Sequence, residues 1–238
     1  MLPLVFIGTV PYNFMFNSKT QTMKTITPKA VAGIKIPDST IAKQATELLL
    51  EHGTEFLYNH SLRAFLFACL NGKERKIAFD LELLYVGSVF HDLGLTPHYS
   101  SPDKRFEVDG ADAARDFLKS HGLSQPVLQL VWDTIALHTS PGIAEYKEAE
   151  VALLNYGVAL DVVGRGYEYL SEKHREDIIQ QFPRTDFKKK IIPTFYEGFK
   201  HKPDTTFGNI NADICACMIP DFQRKNFCDA ILHSPWSE

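Results

Sequence analysis

Leu84-Tyr85-Val86-Gly87-Ser88-Val89-Phe90-His91-Asp92-Leu93-Gly94 is an apolar run that ends with an imidazole and a carboxylate side by side. Burying either group without a partner is costly. A stretch this apolar therefore carries His91 and Asp92 inward only if something compensates them. The spacing reads as a helix with Leu84, Ser88 and His91 on one face, expected to close at Gly94, a residue suited to a left-handed terminator. Two other apolar stretches carry the same kind of intrusion. His60 interrupts Leu57-Tyr58-Asn59-His60-Ser61-Leu62, and Asp161 interrupts Gly157-Val158-Ala159-Leu160-Asp161-Val162-Val163-Gly164. Separate segments thus deliver imidazoles and carboxylates to the interior, and one divalent cation at their meeting point satisfies them all.

On either side of this stretch the chain reads as helix almost throughout. Ser39 is placed to cap a helix carrying Ile41, Ala45, Leu48 and Leu49 and stopping near Gly53. Thr54 caps the next, with Phe56, His60, Arg63 and Phe67 at helical spacing. Residues 96–105, with Pro97, Ser100, Ser101, Pro102 and Asp103, read as a loop. Further helices are expected over 108–121, along the stripe Val127, Val131, Ile135 and His138, and along Val151, Leu154, Val158 and Asp161 to Gly164. Others follow over 172–182 and 187–200, with two short pieces near 212–218 and 222–232. Alternating β-branched runs are scarce. The expected fold is all-α: a single globular helical bundle over 38–238, preceded by a leader over 1–37 that is extended or disordered.

A chain of 238 residues with 45% hydrophobic content fills one large core or two small ones. Charged residues make up 23%, the net charge is -4 and the pI about 6.1. With no basic stripe beyond the short run Lys188-Lys189-Lys190, this argues against a nucleic-acid partner. The start, Met1 to Pro11, is apolar but lacks a basic beginning and a cleavage site, and it is too short and proline-broken to span a bilayer. Neither a signal peptide nor a membrane partner is expected. Cys69, Cys215, Cys217 and Cys228 are sparse, and the C-x-C pair has no matching second pair for a structural zinc site. Free thiols in a reducing cytoplasm are the plain reading. Exposed aromatic residues in the leader or tail would mark a homo-oligomer surface.

His60, His91, His138 and Asp161 all fall on apolar faces, and Asp92 adjoins His91 so that both can grip one ion. Imidazole and carboxylate together suit zinc, manganese, iron or nickel. An open position on such an ion holds a water whose pKa is drawn toward neutrality, which makes hydroxide available at pH 7. Each residue alone has a plainer reading, as a satisfied core histidine or a buried ion-pair partner. Their combination on separate helices is what points to a metal.

Together, His60, His91-Asp92 and Asp161 resemble the H…HD…D pattern of the HD-domain superfamily of metal-dependent hydrolases, and more specifically its cyanamide hydratase group. The resembling pieces are Asn59-His60-Ser61-Leu62-Arg63, Phe90-His91-Asp92-Leu93, Phe106-Glu107 with Gly110, and Ile135 to His138. They continue in order with Leu160-Asp161-Val162-Val163-Gly164, Gln181-Phe182-Pro183-Arg184, and Lys202-Pro203 followed by Thr205, Thr206 and Gly208. The resemblance implies a helical HD fold and a single divalent metal, zinc in first place, held by His60, His91, Asp92 and Asp161. It also implies a small-molecule substrate and hydration of a C≡N bond, converting cyanamide to urea by metal-bound hydroxide.

That reaction needs a proton delivered to the substrate nitrogen. His138 is the first candidate, because imidazole titrates near neutrality, and Glu107 the second. Otherwise Glu107 reads as a helix-start carboxylate. Asp92 joins the catalytic set through its place beside His91. Arg63, Phe106 and Thr139 are candidate substrate-binding residues. For Arg63 the stronger reading is an ion pair with Asp92 or Asp161. Phe106, with Phe90, Trp132 and Tyr99, would wall a small pocket. The alternative activity is HD-type phosphohydrolysis of a nucleotide or other phosphoester, with Lys104 and Arg105 as donors and His98 reaching toward a second ion. A binding module without activity is the third reading. A small neutral cavity would favour hydration, and a wide basic cleft phosphate chemistry.

Overall fold

Helix α2 (Glu55–Glu74) is apolar on every side and is buried along nearly its whole length, from Leu57 to Gly72, as expected of a helix without a polar face. The other elements wrap around it in the computed structural model, which describes residues 27–235. In chain order the helices are α1 (Thr40–His52), α2, α3 (Leu81–Phe90), α4 (Phe106–Ser120), α5 (Gln125–Ala136), α6 (Ala149–Val163), α7 (Glu172–Gln181), α8 (Phe187–Phe199), α9 (Asn211–Met218) and α10 (Phe227–Leu232). Short 3-10 turns lie at Leu93–Leu95, Ala144–Tyr146, Tyr167–Tyr169 and Pro203–Thr206. The caps are those the sequence names. Ser39 Oγ accepts from the Ala42 amide at 3.0 Å and Thr54 Oγ1 from the Leu57 amide at 3.2 Å. Among the described residues the fold is all-helical but for one small hairpin, and no helix is long and apolar enough to cross a membrane.

That hairpin corrects the expected leader. Strands β1 (Ala30–Val31) and β2 (Ile34–Lys35) pair antiparallel, joined by Ala32 and Gly33, both at positive φ. Val31, Ile34 and Ile36 are buried and belong to the core. The Thr27 hydroxyl also meets the Tyr58 hydroxyl of α2 at 2.9 Å. The end of the predicted leader is therefore packed structure. The apolar start from Met1 to Pro11, and the rest of the leader through residue 26, lie outside the described residues.

Two close backbone approaches position the site. Gly157 lets α6 lie against α2, since a Cβ there would stand 2.2 Å from the Ala64 carbonyl oxygen. This crossing brings the next turn of α6, with Asp161, against His60 and Arg63 of α2. Gly94 does not end a helix in the left-handed conformation, as the sequence suggested. Helix α3 stops at Phe90, and Gly94 lies inside the following 3-10 turn. Its missing side chain serves another purpose: a Cβ would lie 1.9 Å from the Phe106 carbonyl oxygen at the start of α4. The turn carrying His91 and Asp92 thus sits backbone against backbone on α4. Gly94→Ala must separate these elements, and we expect a loss of about 3 kcal/mol, the upper end of overpacking costs. A thermal melt unchanged from the parent would show that the two backbones are not in contact.

Candidate metal centre

Two elements bring a carboxylate and two imidazoles together. His60 comes from the middle of α2, and His91 and Asp92 from the turn that ends α3. Relative exposure is 0% for His60, 0% for His91 and 1% for Asp92, so none is solvated. His60 Nε2 lies 3.2 Å from His91 Nε2, and each lies close to Asp92 Oδ2, at 3.5 Å and 3.3 Å. A tetrahedral ion with bonds of about 2.1 Å separates neighbouring donors by about 3.4 Å. The spacing observed is that of ligand atoms around one cation. His138, two residues beyond α5, places Nε2 3.7 Å from Asp92 Oδ1 and stands just outside this group of three.

The hydrogen bonds fix which nitrogen of each ring is free. His60 Nδ1 donates to Asp161 Oδ2 at 2.7 Å, His91 Nδ1 to the Ser88 carbonyl at 2.6 Å and His138 Nδ1 to the Ile135 carbonyl at 2.6 Å. Those acceptors carry no proton, so each ring spends its Nδ1–H on them and turns a lone pair at Nε2 toward Asp92. Both Asp92 oxygens and His138 Nε2 are buried with no hydrogen-bond partner. Buried polar atoms without partners are exceptional. An array of bare lone pairs around a carboxylate is a place for a cation, and the residues present fit a divalent metal.

The charge states agree with this. Burial pulls His60 below its ordinary range, against the opposing pull of Asp161. Burial, with His91 nearby, pushes His138 down to about 4. Burial also works against His91, but the Asp92 carboxylate beside it prevails and holds its pKa above the usual value. Asp92, although buried, is kept well below the ordinary carboxylate range by His91, His60 and His138.

The other predicted site residues divide clearly. Asp161 is buried beside the centre but is not within the ligand cluster. Its Oδ2 accepts from His60 Nδ1 and, at 2.9 Å, from Arg63 Nη2. Its Oδ1 accepts from Arg63 Nε at 2.9 Å and from Arg184. The resemblance placed Asp161 in the ligand set; here it stands directly behind His60, with its oxygens bonded to His60, Arg63 and Arg184. Arg63, expected to bind substrate or, more strongly, to pair with Asp92 or Asp161, pairs with Asp161. Its remaining donors go to the carbonyls of Phe182 and Pro183, at 3.2 Å and 2.8 Å. Glu107 Oε1 accepts from Arg105 Nη2 at 2.8 Å, Thr139 Oγ1 at 2.6 Å and Asn211 Nδ2 at 3.1 Å. Despite its burial these donors, Arg105 above all, lower its pKa. Glu107 is thus an ionised acceptor and not a proton donor, and Thr139 is spent on it.

Phe106 does reach the centre, with its ring 5.7 Å from that of His138. Of its suggested companions, Phe90 packs on Phe117, Tyr99 on His52 and His98, and Trp132 donates to Asp112. His98 stacks on His52 at 3.8 Å, away from the ligand cluster. Lys104 pairs with Asp112.

Sequence reasoning missed what surrounds the centre from beyond residue 182. Arg184 donates to Asp161, the Phe187 ring lies 5.7 Å from His60, and Asn211 reaches Glu107. Phe195 and Phe199 back Phe106, and Lys202 pairs with buried Asp109 at 2.5 Å. Arg184 and Lys202 fell in resembling segments, but nothing in their spacing names these partners.

A helical domain with a buried histidine and aspartate cluster of this kind is the architecture of a metal-dependent HD protein. The HD-domain family model matches residues 57–182, more than half of the chain. The chain belongs to that family. It is also 27% identical over 206 residues to two proteins of Saccharomyces cerevisiae, cyanamide hydratase DDI2 and cyanamide hydratase DDI3, covering 85% of this chain and 88% of each relative. These findings make it a metal-dependent HD enzyme.

Proposed function

We propose that this enzyme hydrates cyanamide to urea with one divalent cation, zinc in first place, held by His60 Nε2, His91 Nε2 and the Asp92 carboxylate. Such an ion supplies Lewis acidity and a water acidified toward neutrality. The chain's own residues do the rest. Asp161, anchored by Arg63 and Arg184, fixes the tautomer and direction of His60. His138 Nε2 is bare because Nδ1 is committed to Ile135, and it is the group that would relay a proton between the water such an ion would hold and the substrate nitrogen. Phe106 keeps bulk water from that ring. Cyanamide gains one water across its C≡N bond, and nothing leaves. The four cysteines are free thiols, which accords with the cytoplasmic setting we assign.

One observation carries this reading over phosphate chemistry: the cations around the centre are already paired. Arg63 and Arg184 serve Asp161, Arg105 serves Glu107 and Lys202 serves Asp109. A phosphoryl group needs donors of its own, whereas a small neutral substrate does not. The similarity to the yeast cyanamide hydratases supports the same choice. The phosphohydrolase reading is favoured by a different feature, a surface cavity of about 310 Å³ lined by Arg184, Lys188 and Lys189 together with Asp186 and Phe187. Zinc-loaded protein is expected to form urea from cyanamide and to release no phosphate from nucleotides or a model phosphodiester. Phosphate release without urea would replace the first reading with the second.

A further inference from the structure

The centre is sealed, so substrate needs a way in. We infer that this way runs through the cavity beside α8, and that Phe187 is the partition whose size limits what reaches the metal; the substrate class, but not the partition, rests on the hydratase reading.

Phe187 belongs to both sides. It lines the surface cavity of about 310 Å³, and its ring lies 5.7 Å from that of His60. The neighbouring walls of the centre lead inward instead. Phe106 is backed by Phe195 and Phe199, and behind His60 stands the Asp161–Arg63 pair. Phe187 itself is only 3% exposed, so it closes the cavity floor. Arg184 holds it there. The guanidinium carbon sits 4.1 Å from the ring centroid, while Nη1 donates to the Asp161 carbonyl and carboxylate. Arg184 is partly exposed and lines the cavity, whereas Arg63, 5.2 Å from the ring centroid, is fully buried. Two guanidinium groups thus stand near the phenyl ring, both anchored to the same carboxylate.

Phe187 is the first residue of α8, directly after an irregular segment. Pro183 and left-handed Asp186, at φ 55°, bound the four residues that lead into α8. This segment begins directly after the HD match ends at residue 182. The HD helices thus hold the metal ligands, and the following segment sets what may approach them. A rod as thin as a nitrile passes a partition that a bulky substrate does not.

A gate changes the rate of passage in both directions and leaves the equilibrium alone. The test measures zinc uptake by the metal-free protein, zinc removal by a small chelator, and the equilibrium zinc affinity. It compares the parent with Phe187→Ala, Phe187→Leu and, as an aromatic away from the cavity, Phe199→Leu. Phe187→Ala is expected to speed uptake and removal together by about ten-fold with Kd unchanged. Phe187→Leu should fall between, and it carries the test if the alanine variant does not fold. In turnover, kcat/KM for an alkyl-substituted cyanamide should rise relative to cyanamide. Unchanged metal exchange in folded variants would overturn the proposal. So would faster removal with a matching loss of affinity, which means a loosened His60, or an equal effect of Phe199→Leu. Faster exchange in both directions without any urea formation would leave the partition standing and remove the hydratase reading alone.

Discussion

His91→Ala is expected to purify without its divalent cation, with turnover at the background rate, a loss of about 10⁶-fold, the low end of ordinary enzymatic acceleration. The argument rests on how little else could hold the ion. His91 Nε2 lies 3.2 Å from His60 Nε2 and 3.3 Å from Asp92 Oδ2, and no solvent reaches the gap. Deleting the ring leaves a void in a closed site and only His60 and Asp92 of the cluster of three. Two such ligands do not bind zinc in competition with water or buffer. His138→Ala is the contrasting variant. His138 stands outside the cluster of three, so that protein should keep the metal and lose about 10²–10⁴ in turnover, the usual share of a proton-transfer group. Metal analysis of both proteins, followed by initial rates of urea formation, separates the two roles. Metal retained by His91→Ala would dismiss the cluster as the binding site. Metal lost by His138→Ala would make His138 a ligand. Uptake should also weaken as the pH falls, because the proton that Asp92 helps His91 to keep must leave before a cation binds.

The centre was legible in the sequence because its residues break a pattern. His60, His91 and Asp92 interrupt apolar helix faces, and interruption predicts burial. Asp161 was legible to the same extent and no further. Periodicity gives the direction in which a side chain points, but not which neighbour receives it. The choice between metal and Arg63 depends on the crossing of α6 over α2, where Gly157 meets Ala64. Arg184, Phe187 and Asn211 were illegible as site residues for a related reason. They join the centre from more than 100 residues beyond His60 or Glu107, through contacts that leave no local trace. The helices were read well because their caps and stripes are local. Gly94 was misread because a glycine needed for close approach looks the same, in one sequence, as a glycine needed for positive φ. The β1–β2 hairpin escaped because two-residue strands are shorter than any alternation that can be recognised.

Arg63→Met should cost about 3–5 kcal/mol of stability, the range found when one partner is removed from a buried ion pair. In a chain of this size that lowers the melting temperature by roughly 10–15 °C. Arg63 has no exposed surface, and its side chain makes two bonds to the Asp161 carboxylate and two to the carbonyls of Phe182 and Pro183. Methionine fills much of the space but returns none of these bonds. The carboxylate then keeps only His60 and Arg184, and both carbonyls are left without this donor. Arg184 is partly exposed and already bonded to Asp161, so it recovers part of the electrostatic loss but cannot enter the vacated interior. The effect separates the two readings of Arg63. A residue that only binds substrate would leave the melting temperature within a few degrees of the parent and raise KM. A residue that fastens α6 and the Phe182–Pro183 turn to α2 loses stability first, whatever the substrate. Thermal melts of the metal-free proteins decide between them, since bound metal would mask the difference by mass action. A shift of less than about 3 °C, corresponding to roughly 1 kcal/mol, would mean that the Arg63–Asp161 pair does not hold the centre together.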